Sequence, residues 1–365
     1  MKISFIILKG MPFGGGIEKY TEEVGSRLAA KGHDIVVYTM THYGARSGIY
    51  KGMKIETIPT VRNKNLEKMV AAFIATFKSV REFSDIVHFH AFGPAMFCMI
   101  PKLLGRKVVV QGHGIEWQRS RWGFTGKTFL KLTEYPSVKV PHAVTVVSKV
   151  QQRYVKETYN RESTFIPTGV NPPTIERPDL IRRYGLEGND YILFAARLVR
   201  EKGAHYLIDA FRRLRTNLKL VIAGDAQHEE PYKATLHSLA NADSSIRFIG
   251  FATGRLLNEL FSNAFAFVLP SEIEGLSTAL LEAMSYGNCC LASDIPENRE
   301  ALCDHGYYFS SGDVDDLSKK LEFLVHNPAA VEAVKHDAQK YVLENYLWDD
   351  IAARFETFYE EILKK

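Results

Sequence analysis

Short apolar, β-branched runs recur along the chain, and most are followed by a stretch whose apolar positions return at helical spacing. In the first half the runs are ISFIIL (3–8), DIVVYT (34–39), DIVHF (85–89), KVVVQ (107–111) and AVTVV (143–147). Between them IEKYTEEVGSRLAAKG (17–32) and LEKMVAAFIATFKSVREF (66–83) read as helices. Strands this continuously apolar are buried on both faces, so the alternation predicts a parallel sheet with helices on either side.

The pattern breaks at IPTGVNPPTIERPD (166–179), where four prolines and a glycine can continue neither element. It then restarts with YILFAA (191–196), KLVIAG (219–224), IRFIG (246–250), AFAFVLP (264–270), CCLAS (289–293) and GYYF (306–309) as strands. Helices are expected from about 203, over 231–241, 254–262, 313–326 and 329–345. A last helix carries apolar residues at 351, 355, 358, 359 and 362, one face at helical spacing. The fold class is therefore α/β, with two Rossmann-like, doubly wound parallel-sheet domains facing a cleft. The expected bounds are 1–170 and 171–347, and the helix 348–365 is expected to pack back on the first domain.

Length and composition fit this picture. At 365 residues, 46% hydrophobic and 24% charged, the chain suits two globular domains. Cys98, Cys289, Cys290 and Cys303 have no paired spacing and read as reduced thiols of a cytoplasmic protein. The first apolar run is too short for a signal peptide, and no run approaches the ~20 residues of a membrane span. The net charge of +4 is uneven: residues 100–161 hold twelve Lys/Arg against three Glu. That excess suits a solvated face or a surface for something anionic, a phospholipid or a phosphorylated acceptor. Nucleic acid is not an expected partner.

Ligands of doubly wound sheets bind beyond the carboxyl ends of the strands, so the loops there are the candidates. In KGMPFGGGIEKY, Gly14, Gly15 and Gly16 follow a strand and open a helix, where bare N–H groups can approach a ligand. The dinucleotide spacing fails, because Lys19 stands where a third glycine belongs. GFTGKT (123–128) is no P-loop either, since Arg121 occupies the required glycine position. His113 lies just past a strand between Gly112 and Gly114, a ligand-facing position. In the second half Arg197 and Lys202 share one short loop ahead of Gly203 and suit a diphosphate. In PSEIEGLSTALLEAM (270–284), Glu274 and Gly275 precede a helix starting near Ser277, so the N–H groups of Gly275, Leu276, Ser277 and Thr278 are available. From Ser277 to Glu282 is roughly 7.5 Å along the axis, the reach from a sugar across a diphosphate to a ribose. Glu274 would then accept from sugar hydroxyls and Glu282 from ribose hydroxyls.

The ordered set GGGIEKY, HGIEWQRSRW, VSK, IPTGV, RLVREKG, IAGD, FIGF and PSEIEGLSTALLEAMSYG resembles the retaining, nucleotide-sugar-dependent glycosyltransferases of the GT-B fold, glycosyl transferases group 1. HGIEWQRSRWGFTGKTFLKLTE is similar to the bacterial rhamnosyltransferase and mannosyltransferase types of surface-polysaccharide synthesis. The resemblance implies that Arg197 and Lys202 neutralise the donor phosphates, Glu282 binds the ribose, Glu274 contacts the sugar and His113 faces it. It also implies that the backbone of Phe248, Gly250 and Phe251 meets the base, and that Gly15 and Gly16 approach the phosphate. Two positions depart from the family pattern, Ala196 for a glycine before the arginine and Thr168 for an asparagine in the turn. The expected activity is transfer of a hexose from a nucleoside diphosphate sugar to an acceptor hydroxyl with retention, without metal or other cofactor. A sugar or lipid-linked acceptor is expected on the first domain, near Glu116, Arg119 and Arg121, with a peripheral location on the inner face of the cell membrane. The alternatives are a nucleotide-sugar epimerase or phosphorylase on the same fold, or a non-catalytic sugar-nucleotide-binding protein.

Overall fold

The computed structural model describes the chain apart from residues 12–14, 45, 62, 64, 65, 120, 121, 227–229 and 242, and describes Ile7 and Leu8 by their backbone alone. It divides into two compact units, Met1–Gly169 with Trp348–Lys365, and Val170–Leu347. The chain therefore crosses between units twice. Beside the crossings Val170 bridges Leu347, and its N–H donates to the Tyr346 carbonyl at 2.8 Å.

The first unit runs β1 (Lys2–Leu8), α1 (Gly16–Ala30), β2 (Asp34–Met40), β3 (Gly48–Tyr50), β4 (Met53–Ile58), α2 (Glu67–Arg81), β5 (Ile86–His90), α3 (Met99–Leu103), β6 (Lys107–Gly112), α4 (Phe124–Lys139), β7 (Ala143–Val146), α5 (Lys149–Tyr159) and β8 (Thr164–Phe165). Its sheet has the order β3-β4-β2-β1-β5-β6-β7-β8. All pairings are parallel except β3 with β4. That hairpin turns on Lys51 and Gly52, both at positive φ, as a tight two-residue turn requires. The sheet is thus mixed, because residues 48–58 add an edge hairpin that the strand pattern above passes over.

The second unit runs β9 (Tyr191–Ala195), α6 (Ala204–Phe211), β10 (Lys219–Ala223), α7 (Glu230–Ala240), β11 (Ile246–Gly250), α8 (Gly254–Ser262), β12 (Ala266–Leu269), α9 (Thr278–Ser285), β13 (Cys289–Ser293), α10 (Pro296–Leu302), β14 (Tyr307–Phe309), α11 (Val314–His326) and α12 (Pro328–Asn345). Its sheet is wholly parallel, in the order β11-β10-β9-β12-β13-β14. Strand order reverses between β9 and β12, the position where doubly wound sheets open a crevice. Leu193, Phe194, Phe267 and Val268 lie fully buried in the central strands.

The final helix, α13 (Trp348–Lys364), belongs to the first unit. Trp348, Ile351, Ala352, Phe355, Tyr359 and Ile362 are its buried face. Tyr20 of α1 meets Trp348 edge-on at 5.2 Å and Phe355 at 6.1 Å between ring centroids. At the rim Arg27 pairs with Asp349, and Lys31 and His33 with Glu356, in solvent where such pairs contribute little. All four cysteines are free, and burial pushes the thiols of Cys98 and Cys289 up to about 12.

Because Phe355 is wholly buried, Phe355→Ala should destabilise the first unit by about 3–5 kcal/mol in chemical denaturation. Asp349→Ala at the rim should cost less than about 1 kcal/mol. Equal costs for the two would mean that the helix is not held by its apolar face.

Candidate active site

In the second unit the loops leaving β9 and β12 meet at the strand-order reversal. Gly203 sits at φ +70, and a Cβ there would lie 2.0 Å from the carbonyl oxygen of Pro270. Only glycine lets the two backbones touch this closely. The Glu272 N–H donates to the Glu201 carbonyl at 2.9 Å, and the Tyr206 hydroxyl donates to the Glu272 carboxylate at 2.5 Å. Gly224, after β10, is packed in the same way: a Cβ there would lie 1.9 Å from the Ala196 carbonyl oxygen.

The predicted side chains fall on these loops. Arg197 is exposed just past β9. Lys202 ends a short 3-10 turn, and its Nζ lies 2.5 Å from Glu274 Oε1. Lysine and glutamate side chains are 15% and 6% exposed, so the pair is well shielded. The sequence reading gave these two residues separate tasks, and the structure joins them 72 positions apart. Past Gly275 and the buried Leu276, Ser277 caps α9, its side chain accepting from the Leu280 N–H at 3.3 Å. Thr278 opens the helix, so the first-turn N–H groups lie at its positive end. Glu282 follows on the same helix, partly buried. Phe248 and Gly250 end the edge strand β11, with Phe248 4.0 Å from the His237 ring and Gly250 at φ +77. Phe251 beyond them is exposed, a flat apolar surface at a strand's carboxyl end.

One carboxylate here escaped the sequence reading. Glu297 opens α10 beyond β13, and burial, then the Glu274 and Glu300 charges, raise its carboxyl above the usual range. ASDIPENRE carries no spacing signal for it; only the fold brings it near Glu274.

In the first unit Gly15 is the residue before α1, and its open neighbour Gly16 has nothing within 4 Å of a would-be Cβ. The buried Glu18 reaches back to accept from the Lys9 N–H at 3.1 Å, tying the loop to its own helix. Gly14 lies outside the described residues. His113 follows β6 as expected, but it is not alone. Its Nε2 lies 3.1 Å from His90 Nδ1, its ring meets Tyr20 edge-on at 5.0 Å, and His90 stacks on His88 at 4.5 Å. His88 Nδ1 in turn lies 2.6 Å from the Tyr359 hydroxyl of α13. Burial depresses all three imidazoles, His88 and His113 to about 3, so each is neutral at pH 7. The sequence signal was present in HFH: residues two apart on a strand share a face. Glu116 opens a short 3-10 turn and Arg119 ends it. Arg121 lies outside the described residues. Among the described residues no group of three His, Cys, Asp or Glu is placed to hold a metal ion.

With this geometry in view, the comparisons with known proteins decide the class. The family model Glycosyltransferase Family 4 matches residues 14–173, and Glycosyl transferases group 1 matches residues 176–340. The chain carries two glycosyltransferase domains. A glycosyltransferase of Methanocaldococcus jannaschii, MJ1607, is 24% identical over 96% of both chains. Sucrose-phosphate synthase from Thermosynechococcus elongatus shares the fold with a TM-score of 0.87, at 18% identity over 99% of each chain. HepE of Anabaena, solved with UDP and glucose, does so with a TM-score of 0.83, at 18% identity over 99% of this chain and 100% of that one. The architecture is GT-B, and the glycosyltransferase class of the sequence reading stands.

Two outcomes follow for this glycosyltransferase. Gly203→Ala should cost at least about 1–3 kcal/mol, from the left-handed backbone and the clash with Pro270, seen as a lowered Tm. The depressed histidines should make the first unit acid-sensitive. Their contribution is full above the unfolded pKa of about 6.5 and is lost as pH falls towards 3, by up to ~1.4 kcal/mol per pH unit per histidine. Denaturation midpoints from pH 7.5 downward test it, and a flat profile for wild type, or an unchanged slope in His88→Asn, would contradict the assignment.

Proposed function

We propose that the enzyme transfers a hexose from a nucleoside diphosphate sugar to an acceptor hydroxyl with retention at the anomeric carbon. The observation that carries this reading is the meeting of Lys202, Glu274 and the N-terminus of α9 where the second sheet reverses its strand order. The difficult step is expulsion of a nucleoside diphosphate, with negative charge growing on the departing phosphate and positive charge on the sugar. Lys202, Arg197 and the first turn of α9 are suited to the former. Glu274 is suited to the sugar, and its hydrogen bond to Lys202 holds both groups at the reacting end before the donor arrives. The donor's phosphate would then draw Lys202 from the carboxylate, leaving Glu274 to accept from sugar hydroxyls.

Glu282, one and a half turns along α9, is assigned to the ribose, and Phe251 with the end of β11 to the base. HepE, solved with UDP and glucose, supports a nucleoside diphosphate sugar as donor. The charge compensation available from Arg197, Lys202 and α9 supports a reaction that requires no divalent ion. Glu274, already committed to Lys202, makes a poor nucleophile, which favours same-face attack assisted by the leaving phosphate over a covalent intermediate. In the first unit a neutral His113, fixed by His90, is suited to orienting a sugar hydroxyl. Gly15 and Gly16 are assigned to the phosphate and Glu116 and Arg119 to the acceptor.

Incubation with a panel of nucleoside diphosphate sugars, followed by thermal shift and then by mass spectrometry of products, tests the reading. One donor should stabilise the protein and release its diphosphate only when an acceptor is present, with the anomeric configuration kept and EDTA without effect. Lys202→Ala and Glu274→Ala should each lower kcat by at least ~100-fold while circular dichroism still reports the native fold. Donor turnover without acceptor would point to an epimerase or, with phosphate, a phosphorylase, and binding without turnover to a non-catalytic protein.

A further inference from the structure

The helices α2, α3 and α4 of the first unit carry large apolar side chains on their outer side. Helix α2 buries Ala71, Ala72, Ala75, Thr76 and Ser79, and turns Phe73 and Phe77 outward at 45% and 49% exposure. Helix α4 buries Leu130, Thr133, Glu134, Ser137 and Val138, while Phe129, Leu132 and Tyr135 stand in solvent. Between them α3 exposes Met99 and Leu103, the latter to 79%. A helix folded only to cover a sheet would place its large side chains inward. These helices bury Leu130 and Val138 and pack Ile74 on the core, yet leave Phe73, Phe77, Leu103, Phe129 and Leu132 in solvent, which costs solubility unless something covers the outer face.

The outward side chains form one surface. Phe73 packs against Phe77 at 4.9 Å and against Phe97, just before α3, at 5.3 Å. Lys102 of α3 donates to the Val140 carbonyl at the end of α4 at 2.5 Å, and Cys98 approaches the Pro136 carbonyl. The three helices therefore abut as a continuous plate. Its charge is one-sided. From Met99 to Lys139 the sequence holds eight Lys/Arg and two Glu. Of the two, Glu134 is buried, accepting from the Tyr154 and Tyr159 hydroxyls, and Glu116 is partly buried. Lys102 donates to a backbone carbonyl and Lys131 lies over the Trp117 ring with the buried Glu134 carboxylate nearby, and among the described residues no salt bridge involves Lys102, Lys127 or Lys139.

We propose that this face docks on an anionic lipid bilayer, with Phe73, Phe77, Leu103 and Leu132 entering the headgroup boundary and the lysines meeting lipid phosphates. Aromatic and aliphatic side chains amid unpaired basic ones are the composition that partitions into such an interface. A protein partner of matching shape would be expected to answer the lysines with ordered carboxylates at fixed points; a bilayer needs only the average charge, which the scattered lysines fit. The proposal deepens the transferase reading by placing the acceptor's side of the enzyme at a membrane. None of its exposed side chains is assigned to the donor, so its test can be read without turnover.

The full chain is sedimented with vesicles of phosphatidylcholine alone and of phosphatidylcholine with an equal part of phosphatidylglycerol. Binding should occur to the mixed vesicles, weaken as salt rises, and be at least ~10-fold weaker to phosphatidylcholine alone, since several lysines meet the charged surface together. Phe77→Ser with Leu132→Ser, and separately Lys102→Glu with Lys131→Glu, should each reduce binding at least ~10-fold. Both variants should keep the wild-type circular dichroism and donor thermal shift, because the changed side chains are exposed. Absence of binding to either vesicle, or binding that ignores both pairs of substitutions, would overturn the proposal. So would a wild-type dimer in solution that Phe77→Ser dissolves, which would assign the face to a second copy of the chain. Loss of the donor thermal shift in wild type would instead strike the transferase reading and leave the vesicle result standing.

Discussion

The architecture of the second unit depends on two backbones touching. Because the second sheet grows outward in opposite directions from β9 and β12, the loops that follow these strands diverge to opposite faces and leave a gap at their roots. Gly203 lets that gap close to contact with Pro270. Everything charged nearby is positioned by this approach. Lys202 precedes Gly203 directly, Glu274 lies four residues past Pro270, and the next turn of chain becomes α9. A side chain at 203 would separate the roots and with them the ion pair and the helix end that a diphosphate would meet together.

The first unit solves a different problem with neutral groups. Three imidazoles and a tyrosine line up from α13 to the strand ends, and none carries charge at pH 7. Burial keeps them so. A buried imidazolium would carry a costly desolvated charge, whereas a neutral ring can still donate or accept a hydrogen bond. The aromatic packing of Tyr20 against Trp348, Phe355 and His113 couples the orientation of that row to the docking of the last helix.

Much of this was legible in the sequence, for identifiable reasons. Buried strands announce themselves because both faces must be apolar, and β9 to β14 were found within one or two residues. The glycine and charge spacings of RLVREKG and PSEIEGLSTALLEAM placed Arg197, Lys202, Glu274 and Glu282 at strand ends, where the structure has them. What escaped has causes too. Helix α4 escaped the periodicity, since only Leu130 and Val138 of its apolar residues are buried and Thr133, Glu134 and Ser137 share the inner face. The β3–β4 hairpin turns on Lys-Gly, not on the stronger Asn-Gly signal. The Lys202–Glu274 pair, the His90 partner of His113 and the proximity of Glu297 are contacts between distant segments, and no local pattern encodes them.

The placement of α13 has a consequence for how the chain is made. The first 169 residues leave the ribosome well before the helix that completes their fold, because all of Val170–Leu347 is translated in between. During that interval Tyr20, His88 and the inner side of α1 have no Trp348, Phe355 or Tyr359 to shield them. An apolar groove of the nascent protein is thus left open for the time needed to synthesise an entire second unit, which invites chaperone capture or aggregation. Maturation of the first unit is in this sense governed by a helix translated after the second.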